Sequence, residues 1–561
     1  EPACRRTRVE DEPVAICRLK RVAADLRGDV TDLLPTAPTL KNGKRVALIG
    51  AGPAALTVAN DLMPEGYEVV IFEALSKPGG LMRTNIPSFR LPVTVLEDEM
   101  DMILDMGVEI HYNHRVESLK ALLDEDDFDA VFIGTGAPKG KDLQLPGREE
   151  AAANIHIGID WLESVHFERV EADANVHIGI EWLEAIHFGH IESIGERVLV
   201  IGVGNTAMDC CRSSKRRGGK DVKVMARRDR PHFKASPWEL EDAEEEQVDI
   251  LVNHSPQRFV IEDGRLTGMV FDIVEWKENG KGRVVSHKID EVFLPADDVI
   301  LAIGQDNAFP WIERDIGIEF GDWEMPVVDR ATFMTTREGV FVGGDAAWGP
   351  ENIIWAVEHG HQAAISIHNY CQDIPVGERP ADGMNLISTK MGIHEWRYSN
   401  DYDPVDRTTM RYVDLEKRFT DMKVEAELGF DVAETVREVA RCLNCDIQTD
   451  FSANLCIECD ACVDVCPVLC LTITHNGEED DLRQRLSAPA ENLEQTLYVS
   501  EGLPQTKRVM VKDEDLCVHC GLCAERCPTA AWDMMQFDLL TPYAGHESWT
   551  SPALAASTTS P

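Results

Sequence analysis

The stretches "CIECDACVDVCP" (456–467) and "CVHCGLCAERCP" (517–528) repeat one spacing, C-x-x-C-x-x-C-x-x-x-C-P, within a single chain. Eight thiols at fixed intervals constrain their segment more than any other feature, because the backbone has to follow the shape of a polynuclear metal group. In such a run three closely spaced thiolates bind one [4Fe–4S] cube, and the fourth reaches the other cube of the pair. The spacing therefore assigns Cys456, Cys459, Cys462 and Cys527 to one cluster, and Cys517, Cys520, Cys523 and Cys466 to the other. Pro467 and Pro528 turn the chain away from each site. A zinc site does not need a duplicated four-cysteine pattern. Fifty residues separate Cys466 from Cys517, including "GEEDDLRQRLSAPAENLEQ", so an insertion is expected to cover one side of this domain.

A cluster pair stores and passes electrons, so the rest of the chain has to provide an entrance for them. The 561 residues leave room for three or four domains. Lys and Arg number 55 against 99 Asp and Glu, a net charge of −44, which argues against nucleic acid and anionic membranes as partners. Acidic runs such as "DEDDFD" (124–129) and "EDAEEE" (241–246) read as solvated faces. No apolar run reaches the roughly 18 residues of a membrane span, and "EPACRRTRVEDEP" at the start has no apolar signal core. The first residue is not Met, so the natural chain is expected to begin further upstream. Most of the 16 cysteines cluster after residue 441, which without an export signal predicts metal ligands in a reducing cytoplasm.

From residue 44 the pattern becomes apolar strand, glycine turn and helix. "VALIGAGPAALTVANDLMPEGYEVVIFEA" carries Gly50-x-Gly52-Pro53-x-Ala55. Gly50 allows a tight turn, Gly52 lets the backbone approach a pyrophosphate, and Ala55 keeps the helix close to the strand. Glu73, at the end of the next strand, is placed to accept hydrogen bonds from a ribose. A second unit, "VLVIGVGNTAMDCC", has Gly202-x-Gly204-Asn205-Thr206-Ala207. There "DVKVMARRDRP" puts Arg227 and Arg228 where an acidic residue would sit, which suits a ribose 2′-phosphate and so NADPH rather than NADH. Alternating strands and helices predict parallel, doubly wound sheets. A near-repeat, "NIHIGIDWLESVHF" (154–167) and "NVHIGIEWLEAIHF" (175–188), reads as a duplicated amphipathic helix rather than a histidine metal site.

"KPGGLMRTNIPSFRLP" (77–92) and "GVFVGGDAAWGP" (339–350) resemble the flavin-side segments of the glutamate synthase small-subunit family of NADPH-dependent flavoproteins, whose module also occurs in dihydropyrimidine dehydrogenase. The resemblance runs over roughly residues 1–372. It implies that the first site holds FAD, with Pro53, Gly80, Arg90, Gly344 and Asp345 among its contacts, and that the second holds NADP(H). "FIGTGA" (132–137) and "LAIGQ" (301–305) are similar to the paired crossovers that join the two nucleotide domains of that family. The implied architecture is α/β: two Rossmann-like dinucleotide-binding domains, the NADPH domain inserted in the FAD domain, followed by a C-terminal α+β domain of the bacterial 2[4Fe–4S] ferredoxin type. Expected boundaries are 1–40 for the end of an N-terminal helical region and linker, 41–146 and 303–375 for the FAD domain, and 147–302 for the NADPH domain. A linker at 376–450, the cluster domain at 451–540 and a disordered tail at 541–561 complete the chain.

Disulfide reductases built on this plan carry a redox-active cysteine pair beside the flavin. Cys210 and Cys211 are adjacent on a predicted helix, do not share a face, and read as packing residues, so electrons have to leave the flavin another way. The family also carries two clusters in a cysteine-rich helical domain ahead of the first glycine motif. By that resemblance Cys4 is the last ligand of the set, and further N-terminal clusters require upstream sequence. Cys17 reads as structural. Cys442 and Cys445 in "RCLNCD", with Cys470 nearby, offer half of a metal site whose use stays open.

The expected function is electron transfer between NADP(H), FAD and [4Fe–4S] clusters, with no side chain acting as nucleophile or acid–base catalyst. The acceptor or donor is a partner subunit or a soluble ferredoxin. Candidates implied by the resemblance are a 2-oxoacid:ferredoxin oxidoreductase, an aromatic-acyl-CoA reductase, a glutamate synthase large subunit and an electron-bifurcating transhydrogenase. A non-catalytic iron–sulfur wiring subunit is the alternative of another class.

Overall fold

The computed structural model describes residues 1–125, 127–166, 193–278, 283–380, 383–397, 404–490 and 492–545. "RVALI" and "EVVIF" are apolar without alternation, the pattern of strands covered on both faces, and they form the centre of a five-stranded sheet. Its order is Val340–Val342, Ala130–Ile133, Arg45–Ile49, Glu68–Phe72 and Glu109–His111, all parallel. Helix Pro53–Leu62 packs against helix Ile353–Cys371. They meet at Gly360, where a Cβ would lie 2.6 Å from the Ala54 carbonyl oxygen. The strand Val340–Val342 joins this sheet only after a second complete unit has been built.

That second unit has its own parallel sheet, in the order Ile155–Ile157, Asp298–Leu301, Arg197–Ile201, Asp221–Met225 and Asp249–Leu251. An antiparallel meander of His254–Glu262, Arg265–Glu278 and Val284–Pro295 supplies Phe259, Met269 and Phe271 to one face. Helices Gly158–His166, Asn205–Arg216 and Pro237–Glu245 cover the other. The first copy of the near-repeat is thus not one helix. Its "IHI" is an edge strand, drawn out by parallel pairing with Asp298–Leu301, and His156 Nε2 sits 3.0 Å from Asp298 Oδ1. The second copy (175–188) lies outside the described residues.

The run "EDAEEE" differs from its expectation as a solvated face. Asp242 and Glu246 are buried, and Glu246 meets Arg216 at 2.6 Å and Arg212 at 3.0 Å, while Arg212 also meets Asp242 at 3.0 Å. Helical spacing turns these two carboxylates inward while Glu241, Glu244 and Glu245 stay exposed. Phe89 of the first unit lies under the Arg216 guanidinium, 3.8 Å from its ring centroid. Removing one partner of a buried pair strands the other charge, at about 3–5 kcal/mol, so Glu246→Ala lowers the midpoint of thermal unfolding at neutral pH. Burial alone would raise the Glu246 carboxyl, but the Arg216 hydrogen bond and the charges of Arg212 and Arg216 hold it below the ordinary 4.5. A depressed carboxylate stabilises the fold above its unfolded value. The contribution is therefore lost as pH falls below about 4.5, and the wild-type advantage over Glu246→Ala in a thermal melt narrows there.

The described residues of 383–545 hold two three-stranded antiparallel sheets and a two-stranded one, Lys390–Gly392 with Glu395–Trp396. Trp532–Leu540 is central between Gly383–Ser388 and Ile447–Phe451, and Val509–Lys512 is central between Leu471–Thr474 and Tyr498–Val499. The segment between the two cysteine runs contributes helix Glu479–Arg483 and the edge strand Tyr498–Val499, closing a small core of Leu482, Leu497, Val509 and Val511. The expected insertion thus covers one sheet. Helix Ile16–Asp25 packs on Val432–Val439, whose start is fixed by a capping box between Asp431 and Glu434. No helix of the described residues is long and apolar enough to cross a membrane.

Candidate redox centres

At the C-terminal edge of the first sheet the chain turns at Gly50, whose φ is 95° and whose Cβ would sit 2.8 Å from the Gly134 carbonyl oxygen. Only glycine combines that conformation with that approach. Gly52 precedes helix Pro53–Leu62 without a side-chain cap, which leaves the first N–H groups of the helix free for an anion. Ala55 is fully buried beneath the turn. Gly80 (φ 51°) approaches Gly52, with a Cβ position 3.2 Å from the Gly52 Cα, and Gly344 (φ 62°) approaches Ala54. Glu73 accepts from the Ala51 N–H at 2.7 Å and the Leu75 N–H at 2.8 Å. Burial raises its carboxyl above the usual glutamate range against the pull of those N–H groups. Asp345 begins helix Asp345–Trp348 and accepts from the Glu351 N–H at 3.1 Å, and burial raises its carboxyl as well. Asn307, which the sequence did not single out, donates to the Asp345 carbonyl at 2.9 Å.

Gly50, Gly52, Pro53, Ala55, Glu73, Gly80, Gly344 and Asp345 are thereby brought to one rim. Arg90 is committed elsewhere: it donates to Asp209 at 2.6 Å and to Glu239, tying the first unit to the helices of the second. A cradle in which a Cβ would collide, opening onto an uncapped helix start, fits a dinucleotide pyrophosphate.

The second rim follows the same construction. Gly202 (φ 134°) passes the Ala302 carbonyl so closely that a Cβ would lie 2.1 Å from its oxygen, whereas nothing lies within 4 Å of a Cβ at Gly204. Gly204 precedes helix Asn205–Arg216 and Ala207 is buried. Asn205 Oδ1 accepts from the Ser236 N–H at 3.0 Å, which holds the following loop, and Thr206 is half-buried in the first turn. Beyond strand Asp221–Met225, Arg227 is exposed, and Arg228 stacks on Trp276 at 4.3 Å from the ring centroid. The Trp276 Nε1–H donates to the Arg227 carbonyl at 3.0 Å, so this tryptophan from the meander fixes both arginines. Its distance in sequence hid it from motif reading. Cys210 and Cys211 are fully buried, their sulfurs directed at the Gly158 and Met208 carbonyls, and burial pushes both thiols well up.

In the cluster domain two hollows lie between the sheets and the short helices Ala461–Asp464 and Leu522–Arg526. One, of about 340 Å³, is lined by Cys466, Cys517, Cys520 and Cys523, with Cys470 and Lys512 in its wall. The other, of about 320 Å³, is lined by Cys456, Cys459, Cys462 and Cys527 and floored by Trp532. Each set takes three thiols from one run and the fourth from the other. The Glu458 N–H points at Cys456 Sγ (3.3 Å), the His519 N–H at Cys517 Sγ (3.4 Å) and the Ala531 N–H at Cys527 Sγ (3.3 Å). Such donors stabilise thiolate sulfur. Burial pushes the Cys462 thiol up to about 11, a cost that coordination to iron offsets. Lys512, 1 % exposed, is held by Thr449 Oγ1 at 2.8 Å and Glu514 at 2.7 Å and places a cation beside the first hollow, a feature the cysteine spacing does not disclose.

Two nucleotide rims on interleaved parallel sheets, followed by a two-cluster module, define a pyridine-nucleotide-linked redox protein. Residues 44–360 match the model of the pyridine nucleotide-disulphide oxidoreductase family, and the chain belongs to that family; residues 455–531 match a 4Fe-4S dicluster domain. For this chain the family implies FAD and NADP(H), and the dicluster domain two [4Fe–4S] clusters. The chain is 34% identical over 476 residues to the NADP(+)-dependent formate dehydrogenase subunit beta of Moorella thermoacetica, covering 79% of this chain and 63% of that one. It is 30% identical over 477 residues to the NADPH-Fe(3+) oxidoreductase subunit beta of Geobacter sulfurreducens, covering 79% and 67%. The glutamate synthase [NADPH] small chain of Azospirillum brasilense is 33% identical over 368 residues, covering 64% and 73%. The chain thus spans less than two thirds of the first of these relatives.

Proposed function

We propose that this chain is the electron-transfer subunit of a larger redox complex, exchanging electrons between NADP(H) and a partner enzyme. FAD, when bound, supplies the conversion between two-electron and one-electron carriers. On this reading the rim of Gly50, Gly52, Pro53 and Ala55 takes the FAD pyrophosphate, Glu73 the ribose, and Gly80, Gly344 and Asp345 the flavin side. Gly202, Gly204, Asn205, Thr206 and Ala207 take the pyrophosphate of NADP(H), and Arg227 and Arg228 its 2′-phosphate. The eight cysteines hold the cubes, while Arg90 keeps the two nucleotide units in register. The boundaries 41–146 and 303–375 for FAD, 147–302 for NADPH and 451–540 for the clusters belong to the same reading, as does a cytoplasmic setting.

The observation that carries the proposal is the joining of two nucleotide rims to a dicluster domain in one chain whose adjacent cysteines Cys210 and Cys211 are sealed in a helix. A protein so built delivers electrons to iron–sulfur carriers rather than to a disulfide. The partner is a subunit with its own active site, in the class of 2-oxoacid:ferredoxin oxidoreductases, aromatic-acyl-CoA reductases or, by the named relatives, formate dehydrogenases and metal-reducing enzymes. Purification without oxygen tests this. NADPH is expected to bleach the flavin absorbance within a single mixing experiment and then to produce the signal of reduced clusters. Purified protein without flavin, or flavin that NADPH leaves oxidised, would overturn it, and proteins retained through purification identify the partner.

A further inference from the structure

An antiparallel sheet with one face on a core ordinarily turns polar side chains outward. The sheet of Gly383–Ser388, Trp532–Leu540 and Ile447–Phe451 departs from that pattern. Its register sets Met384 opposite Leu539, Leu386 opposite Phe537 and Ser388 opposite Met535, so these six residues share one face. Trp532, Met534, Ile447 and Phe451 occupy the other face and are buried in the core of the cluster domain. On the outer face Met384, Leu386 and Leu539 are half or more exposed, and Met535 and Phe537 are half-buried. The hairpin Lys390–Gly392 with Glu395–Trp396, next in the chain, exposes Met391 and Ile393 as well. Building on the function proposed above, on which this assignment depends, we propose that the outer face is where the partner redox subunit docks. The partner seats on it an apolar patch fringed by Lys or Arg.

Apolar side chains gathered on a solvent-facing surface, rather than scattered singly, mark a place that another molecule covers. Charge decides which molecule. On the same face Asp450 stands directly opposite Asp533, whose Oδ2 accepts from Ser388 Oγ at 2.8 Å. Like charges directly opposite each other destabilise a sheet, and among the described residues neither carboxylate is ion-paired. Cationic side chains at the edge of a partner's apolar patch neutralise that pair. A second copy of this chain does the reverse, since each copy carries a net charge of −44 and two such fields repel. A different subunit with a basic fringe is the occupant that the charges fit.

The position of the face suits an exit for electrons. From the inner side of the same sheet, Thr449 lines the hollow of Cys466, Cys517, Cys520 and Cys523. Phe451 and Trp532 line the hollow of Cys456, Cys459, Cys462 and Cys527. The outer face is therefore one sheet removed from both cube sites. Packed layers stand about 10 Å apart, so an element seated here brings the partner within one protein layer of the sheet that floors the cubes. Electrons then cross this sheet to leave the chain.

The complex, purified without oxygen from cells that produce it, tests the assignment. A photo-crosslinking amino acid replaces Leu386 or Leu539 in the full chain, with the exposed Trp323 of the first nucleotide unit as the control position. Positions 386 and 539 are expected to crosslink to a different subunit, the one with its own active site, and position 323 is not. High salt screens the charged fringe and releases that subunit, which is then titrated back onto variants. Leu386→Glu/Leu539→Glu is expected to weaken rebinding by roughly tenfold or more, as loss of central apolar contacts does. Asp450→Lys is expected to weaken it by a smaller factor and to flatten its salt dependence. FAD content, iron content and NADPH-driven reduction of an artificial acceptor should match the wild type in every variant, which separates lost docking from lost folding. A partner that crosslinks only elsewhere, or that rebinds the double variant as tightly as the wild type, would overturn the docking surface and leave the subunit role standing. Crosslinks confined to this chain or to a second copy of it would overturn the surface too. A chain that purifies alone would overturn the proposed function and this surface with it.

Discussion

Cys466→Ser is expected to abolish the cube held by Cys517, Cys520 and Cys523 and to leave intact the one nearest to it in sequence. The physical reason lies in the partition of the two hollows. Cys466 shares a wall with Cys517, Cys520 and Cys523, while Cys456, Cys459 and Cys462 complete their set with Cys527. A cube deprived of one thiolate exposes an iron to water and is lost during purification, so iron falls by roughly four per chain. Low-temperature spectra of the reduced protein identify which cube has gone. Cys466→Ser and Cys523→Ser are expected to lose the same signal, and Cys527→Ser and Cys459→Ser the other. Pairing of Cys466→Ser with Cys459→Ser instead would show that each run closes on itself. Because Lys512 is buried beside the hollow of Cys466, a cation there favours the reduced, more negative state. The signal missing from Cys466→Ser should accordingly be the one that appears first as reducing potential is increased.

The same comparison shows what kind of information the sequence carries. The crossed grouping of the cysteines around the two hollows was legible because the fourth cysteine lies a short, fixed distance from its run and the runs are paired. The two nucleotide rims were legible because glycine turns, uninterrupted apolar strands and strand-end charges are all local, and Gly50, Gly52, Gly202 and Gly204 stand where such turns place them. What escaped depends on contacts between distant residues. Arg90 sits in a segment resembling a flavin contact, yet its partners Asp209 and Glu239 come from another unit and could not be inferred from spacing. Trp276 is invisible beside Arg228 until the meander folds back over the strand. "EDAEEE" is read as solvated by its composition, but helical period selects Asp242 and Glu246 for the interior, and the arginines that make their burial tolerable lie a full strand earlier. The bonds of Arg6 and Arg441 that join the first residues to the segment before Cys442 likewise span almost the entire chain.

These long-range contacts also bear on how the parts work together. The segment 404–441 is polar and has little regular structure, features that by themselves suggest a slack tether. In the fold it is fastened at two points. Arg418, almost fully buried, pairs with Glu245 of the second nucleotide unit at 3.0 Å, and Arg441 holds the N-terminal segment that reaches the cube loop through Arg5. Electron transfer falls steeply with distance, so a connector that fixes the cluster domain against the nucleotide units serves conduction in a way that a flexible linker would not.

Substituting both Arg227 and Arg228 by alanine is expected to erase the preference for NADPH over NADH while leaving the protein folded and loaded with flavin. Both residues lie beyond a strand end at the rim of the second sheet, where they support no core packing, so stability should change little. A charged hydrogen bond to a phosphate contributes about 1.5–3 kcal/mol, and 1.4 kcal/mol is tenfold. Each arginine is then worth roughly 10- to 100-fold in the KM for NADPH. The effect should fall on KM rather than kcat, since a 2′-phosphate is remote from the nicotinamide ring. NADH has no such phosphate, and its kinetics should not move by more than a small factor. Trp276→Ala separates placement from charge. It retains both guanidinium groups but removes the face on which Arg228 stacks and the N–H that holds the Arg227 carbonyl, so it is expected to reproduce part of the rise in KM. Steady-state kinetics with both nucleotides, using an artificial one-electron acceptor, read all three variants. A parallel loss of NADH and NADPH turnover in the double variant would place the arginines in the architecture of the unit instead of at its ribose phosphate.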